Sequence, residues 1–510
     1  MELNFQKAGH DYCEITRLAP FSCETMRESI VPDSCADIAR IVDTTALVYL
    51  TGRELTGDGR ICASGTVDVS VLYIPEKAEG TAGPRCLRFQ LPFQCYGEGP
   101  GEGECQALDI QGELTGIDTR ILNPRKVLTR ANLRLHPALC RRVERSICTG
   151  VEEGEGVQLL REARETRVVA AVREKEFPFT EELPLSPGRG GAEEILDLRA
   201  DIRGTDSKLI GSKLVVKGIA AVSVLYRESG GRLSLLQQEL PFSQIIDGAG
   251  LTEDCECECA YALLNAECRP GGESGEDAYA LTLNLLLRAR ATVWRREEIR
   301  FIADLYSTCA ELETQSTELE LLEDAQRAQR RQNLRELMET GVAVKAVLDS
   351  QITCGPASFS GGELKIPAQA RCLYLDENDA LGCVRRELTV TCPMEEAGEG
   401  VECEAEAACR GDIIANILPE GIELRAPLEC AVSTAKRRRY LCVSSAAAAE
   451  EGADQEERPS LVLRKLGSEE TLWSVAKQYR TTSAAILAVN ALEEGAAVPT
   501  DRMLLIPKAR

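Results

Sequence analysis

Two histidines in 510 residues, and aromatic residues at only 4%, narrow both the chemistry and the fold. With so few rings, the interiors must be filled by Val, Leu, Ile, Ala and Cys. His10 and His136 stand alone, so a Cys/His zinc site is nearly excluded, and nothing near either one marks the nucleophile of a Ser/His/Asp or Cys/His relay. None of the 22 cysteines falls in a C-x-x-C pair, the spacing that metal and dithiol sites favour. No apolar run approaches the roughly 20 residues of a membrane span. The opening "MELNFQKAGHDYCEITRLAP" has neither the basic nor the apolar region of an export signal. A cytoplasmic chain without membrane insertion is expected. Lys and Arg number 59 against 82 Asp and Glu, and the net charge of −23 repels phosphate backbones and anionic lipid, so nucleic acid is a poor partner.

What is present is repetition. "TVDVSVLYIP", "IAAVSVLYRE" and "AQARCLYLDE" place Tyr73, Tyr226 and Tyr374 at intervals of 153 and 148 residues. Each is preceded by an aspartate marker, Asp43 in "IVDTT", Asp197 in "ILDLR" and Asp349 in "VLDSQ". Each is followed by an acidic stretch with Cys105, Cys255 or Cys403. Three ordered markers at one period define three copies. Alternating runs such as Val67, Val69, Val71 and Leu281, Leu283, Leu285, Leu287 put apolar side chains on one face of extended strands, and "TGDGR" (Thr56 to Arg60) and "SGGEL" (Ser360 to Leu364) supply turns. The expected fold is mainly β: three repeated antiparallel β-sandwich-like domains over 1–150, 151–300 and 301–443. The stretch Glu323 to Glu339, "EDAQRAQRRQNLRELME", is rich in strong helix formers and is expected to be helical. The stretch Ser444 to Ser460 lacks bulky apolar residues and reads as a flexible linker, 444–460.

The last segment, 461–510, changes texture. "LVLRK" fits a strand. Leu472, Val475, Ala476 and Tyr479 share one helical face, Thr482 can cap a second helix, and "RMLLIP" fits a closing strand. A small α+β (βααβ) domain is expected.

The residues "ETLWSVAKQYRTTSAAILAVNAL…VPTDRMLLIP" resemble a LysM domain over Leu461 to Lys508, in both spacing and residue type. The resemblance implies a groove for N-acetylglucosamine polymers such as peptidoglycan, formed by Gly467, Ser468, Glu469, Glu470, Thr471 and Leu472 with Asn490, Ala491, Leu492, Val498 and Pro499. Here Glu469-Glu470 replaces the family's Gly-Asp, and Pro499-Thr500-Asp501 its Pro-Gly-Gln. A protein ligand therefore stands beside a glycan as the expected occupant. Trp473 reads as packing on the small core rather than as a sugar platform.

The upstream copies, with "VSVLY", "LPF" and an acidic Gly turn, resemble the SPOCS repeat (DUF3794) of clostridial spore proteins. Three such repeats followed by LysM is similar to the architecture of spore coat morphogenetic proteins. The resemblance implies a mother-cell adaptor at the forespore surface that binds the coat's basement-layer morphogenetic ATPase or other coat proteins. It implies no catalysis and no cofactor.

Three remaining stretches invite chemistry. "CECEC" (Cys255 to Cys259) would place its thiols about 6.6 Å apart on one strand face, too far to share a zinc, and reads as a cysteine-lined β face. "GEGPGEGEC" lacks the lysine of a phosphate loop and carries Glu98, Glu102 and Glu104, so an acidic hairpin turn is expected. "KRRRY" (Lys436 to Tyr440) could hold an acidic partner but reads as a solvated strand end.

Overall fold

The computed structural model describes residues 2–507 apart from 77–82, 101–106, 153, 155, 187–189, 272–278, 361, 395–399, 449–459, 468–469 and 494–502. The first third of the chain forms β1 (Phe5–Arg17), β2 (Phe21–Ile30), β3 (Ile38–Leu55), β4 (Ile61–Pro75), β5 (Arg85–Gly97), β6 (Ala107–Asn123) and β7 (Lys126–Val151). The second forms β8 (Val157–Pro184), β9 (Ala192–Ile210), β10 (Lys213–Glu228), β11 (Leu233–Asp247), β12 (Glu256–Pro270) and β13 (Ala280–Ser307). The third forms β14 (Leu312–Glu339), β15 (Val344–Cys354), β16 (Ser358–Ser360), β17 (Glu363–Asp376), β18 (Leu381–Pro393), β19 (Val401–Cys409), β20 (Ile414–Leu418) and β21 (Gly421–Ala448). The tail adds β22 (Leu461–Lys465), α1 (Leu472–Gln478), α2 (Ser483–Val489) and β23 (Met503–Pro507). The fold is mainly β and antiparallel throughout, with the helices confined to the tail.

Period-two patterning builds each core. Val67, Val69 and Val71 are fully buried on β4, and Leu281, Leu283, Leu285 and Leu287 are buried on β13. Each such side chain contributes about 1.5–3 kcal/mol by leaving water. Three separate cores result, one in each third of the chain, around Val67, Val216 and Ile366. Within each, a meander (β3-β4-β5, β9-β10-β11, β15-β17-β18) faces a second layer. In the first two meanders a glycine sits under an aromatic ring. A Cβ on Gly65 would lie 2.1 Å from the Tyr49 carbonyl and 2.9 Å from Phe93, and one on Gly218 would lie 2.4 Å from Phe242. In the third, the cross-strand pair is Ile366 with Val390, so the volume lost at the ring is restored at the glycine.

The three meanders close a ring: β5 lies against β9, β11 against β15, and β18 against β3. At their junction Leu72, Leu225 and Leu373, one residue before each marker tyrosine, share an apolar cluster with Leu196 and Leu381. The long strands leave the sandwiches as three two-stranded ribbons, β1/β7, β8/β13 and β14/β21, whose ends pack together as a stem. The stem core is Ile147, Ile299, Phe301, Leu319, Leu321 and Cys442, followed by Cys148, Ile302, Leu305, Val443 and Ala446. The Leu3 amide donates to the Ala446 carbonyl at 3.0 Å, joining the first ribbon to the last.

Two expectations are corrected. Glu323 to Glu339 is strand, not helix: β14 pairs with β21 from Leu312 opposite Ala448 to Glu339 opposite Gly421. Leu334 and Met338 point into the third core, and a bulge at Asp324, with φ of 51°, separates the stem half from the sandwich half. Helix propensity amounts to tenths of a kcal/mol per residue and yields to a ladder of this length. The expected linker also begins later. Ser444 to Ala448 continue β21 because Ala446 is buried in the stem, while 449–459 lie outside the described residues.

Candidate functional site

The tail folds as strand, helix, helix, strand, as its pattern predicts. Thr471 and Ser474 form a reciprocal cap on α1: the Ser474 amide donates to Thr471 Oγ1 at 3.1 Å and the Thr471 amide to Ser474 Oγ at 3.0 Å. Thr482 caps α2, its Oγ1 accepting from the Ala485 amide at 3.0 Å. Val475, Ala476, Ile486, Leu504 and Ile506 fill the small core.

Several expected groove residues hold the module together. Asn490 donates to the carbonyls of Ile486 (2.8 Å) and Leu505 (2.7 Å) and accepts from the Leu505 amide (2.8 Å), locking α2 to β23. Ala491 takes a φ of 51° after it, and Leu472 and Leu492 pack on the core. Glu470 accepts from the Gly467 amide at 2.9 Å and pairs with Arg464, so its charge is matched inside the module. Gly467, Glu470, Thr471, Leu472 and Asn490 to Leu492 are thus placed by internal bonds and packing, whereas Ser468, Glu469, Val498 and Pro499 lie outside the described residues.

The larger finding is a seat that sequence reading missed. Trp473 packs against Tyr306 of β13 with ring centroids 4.9 Å apart, and its indole donates to Asp304 at 2.8 Å. Lys477 donates to the same carboxylate at 2.6 Å, Arg480 to Glu311 at 2.8 Å, and the buried Tyr306 hydroxyl to the Thr481 carbonyl at 2.7 Å. Burial, then the Asp304 charge, push that hydroxyl up to about 12, so it stays a donor. One face of α1 therefore rests on the stem, and Trp473, half-buried, packs on Tyr306 together with the small core on which the sequence places it. No local signal links Asp304 to Trp473, which are 169 residues apart.

The three aspartate markers meet where the meanders meet. Asp43 accepts from Arg371 at 2.5 Å and Arg385 at 2.6 Å, Asp349 from Arg199 at 2.6 Å and Arg371 at 2.9 Å, and Asp197 from Thr45 at 2.7 Å. Asp197 also lies 3.6 Å from Arg199 and 3.7 Å from Arg371. Burial would raise the Asp43 carboxyl, but the guanidiniums of Arg371 and Arg385 outweigh it and hold the group below its ordinary range. Three aspartates and three arginines balance in charge. The chemistry of such a layer is adhesion between repeats.

The other candidates are placed plainly. Cys255, Cys257 and Cys259 pack on the second core, and burial pushes the Cys259 thiol up to about 11, so the cysteine-lined face is what forms. Among the described residues no group of three His, Cys, Asp or Glu side chains is arranged to hold a metal ion. His10 lies 2.6 Å from Glu297, which Arg295 also holds at 2.9 Å, and His136 lies 3.2 Å from Glu113. The cations of "KRRRY" face β14 and β19, Lys436 on Asp324, Arg437 and Arg439 on Glu320, Arg437 also on Glu402, and Arg438 on Glu323. In "GEGPGEGEC", Cys105, Glu102 and Glu104 lie outside the described residues.

Sheet repeats bonded to one another and carrying a seated βααβ module define a class, that of multidomain binding proteins. The family model for the SipL SPOCS domain matches residues 192–270, β9 to β12 of the second repeat, and the LysM domain model matches 467–507. The chain thus carries a SPOCS domain of the SipL type followed by a LysM domain. These are a sporulation-related domain and a peptidoglycan-binding type of module, both non-catalytic. No curated protein and no solved structure matches the chain. No helix among the described residues is long and apolar enough to cross a membrane.

Proposed function

We propose that this chain is a non-enzymatic adaptor of spore coat assembly, acting in the mother cell at the forespore surface and holding the coat there through protein contacts that include the LysM module. The repeated units over 1–150, 151–300 and 301–443 provide the body of the adaptor, and 461–510 its docking head. The observation that carries the reading is the use of the polar groups. The buried charges at the junction and the cations around Trp473 are spent on joining parts of the chain to one another. The natural partner is the basement-layer morphogenetic ATPase of the coat or another coat protein. Two linked contacts raise effective concentration to the order of millimolar, which suits a layer that must stay on one surface. Deleting Leu461 to Arg510 in a sporulating host should mislocalise the coat, and an unaffected coat would reject the docking role.

A second reading, binding of cortex peptidoglycan, is favoured by the LysM match itself. Incubating the full chain and the chain lacking 461–510 with purified peptidoglycan and, separately, with coat proteins distinguishes them. Tail-dependent retention on glycan alone would favour the second.

A further inference from the structure

The third repeat departs from the other two along one seam. In the first repeat β3 runs beside β6, and in the second β9 runs beside β12. All four are continuous strands of 18, 17, 19 and 15 residues. The corresponding strands of the third repeat are interrupted, resuming on the same partners as β16 on β17 and β20 on β21. β15 has 11 residues and stops before Gly355-Pro356, and β19 has 9 and stops before Arg410-Gly411. Pro356 has no amide to continue a ladder. The seam side chains on β19 are all small, Cys403, Ala405, Ala407 and Cys409, where β6 carries Leu108, Ile110 and Leu114 and β12 carries Tyr261 and Leu263 beside Cys257 and Cys259.

A cavity of about 1990 Å³ lies along this interrupted seam and extends to the junction of the three repeats. β15 and β19 form one side of it, Asp201 with Gln237 to Glu239 of the second repeat another, and Gln111 to Thr115 of the first a third, with Arg199, Asp349 and Arg371 of the junction at its inner end. β19 pairs with β21 on one edge only, so its other edge offers backbone amides and carbonyls toward this space. The wall is unevenly charged. Arg17, Arg203 and Arg327 are matched by Glu404, Glu239 and Glu258. Asp68, Asp201, Glu387, Glu406 and Asp412 form no ion pair among the described residues, against Arg88 alone on the positive side. Burial, then the Asp201 charge, push the Cys409 thiol up to about 11, so that carboxylate lies at the seam.

We propose that this gap is a docking slot for an extended, lysine- or arginine-bearing segment of a partner protein, which adds as a strand to the free edge of β19. Backbone pairing supplies affinity, small alanine and cysteine positions admit the segment's inward side chains, and the unmatched acids select positive charge. A second copy of this chain, with 82 acids against 59 bases, is a poor occupant. The inference rests on the adaptor reading for its biological sense and gives that role a contact independent of the LysM tail.

The test uses the full chain and a fluorescein-labelled synthetic peptide of alternating Lys and Val, with the Glu-Val peptide and a backbone N-methylated Lys-Val peptide as controls. Anisotropy should show salt-dependent binding of the Lys-Val peptide alone, and amide exchange of 401–409 should slow when it binds. Ala407→Trp, which fills the gap, and the surface pair Glu406→Lys with Asp412→Lys, which leaves the core untouched, should each weaken binding by about tenfold or more. Absence of binding, equal binding of the Glu-Val or N-methylated peptide, slowing elsewhere, or indifference to both variants overturns the slot. Failure of the tail deletion to disturb the coat would reject the docking role of the tail while leaving this result standing.

Discussion

Replacing Arg371 by methionine removes the guanidinium that reaches the aspartates of all three repeats at the junction while keeping most of its volume. Arg371, Asp43 and Asp349 side chains are 5%, 4% and 1% exposed, so the loss leaves a net negative charge in a dry layer. Breaking a buried pair in this way costs about 3–5 kcal/mol. Arg385 still holds Asp43 and Arg199 still holds Asp349, which places the expected cost near the lower end, about 3 kcal/mol. That amounts to a local opening constant raised by about a hundredfold. Native-state hydrogen exchange reads it directly: amides of β3, β15 and β17 at the junction should exchange faster by that factor, while β22 and β23 should not change. Adding Asp349→Asn restores neutrality and should recover at least half of the loss. A variant within about 0.5 kcal/mol of the parent, or a double variant no better than the single, would refute the role assigned to the layer.

Acid should loosen the same junction. Asp43 has its folded value held below the ordinary one, so its contribution is present above the ordinary carboxylate range and fades as pH falls through the folded value; protection at the junction, taken as exchange relative to the intrinsic rate at each pH, should fall below about pH 4 and stay flat from about pH 5 to 8. Tyr306→Ala removes a buried ring and its bond to Thr481, weakening the seat of the tail by about 3 kcal/mol, with a red-shifted Trp473 emission as the signature; unchanged emission would count against the seat. Asn490→Ala forfeits three backbone bonds and should destabilise the tail by about 2–3 kcal/mol, measured by exchange at β22 and β23. Gly65→Ala should cost about 1–3 kcal/mol in urea unfolding because its Cβ would strike the Tyr49 carbonyl, whereas Gly57→Ala, with nothing within 4 Å, should be neutral; equal effects would sink that account.

Much of the sheet was legible because burial alternates strictly: Val67 to Val71 and Leu281 to Leu287 announce their strands, and turns such as Thr56 to Arg60 bound them. The tail was legible for a related reason, since caps and helical spacing are local. Glu323 to Glu339 misled because helix-forming side chains there are exposed and indifferent, and the decision belongs to β21, about a hundred residues away along the chain. The markers Asp43, Asp197 and Asp349 were visible as a period, but their purpose depends on Arg371, Arg385 and Arg199, which occupy no common position in the repeats. The seat on Tyr306 was hidden in the same way, because docking partners obey no spacing rule.

The bond from Leu3 to Ala446 has a consequence for biosynthesis. Leu3 and Ala446 stand 443 residues apart, and contacts so distant along the chain close slowly. A product truncated within β21 would keep the β1/β7 ribbon but leave the Leu3 amide, and the stem residues Cys148, Ile302 and Leu305, without Val443 and Ala446 over them.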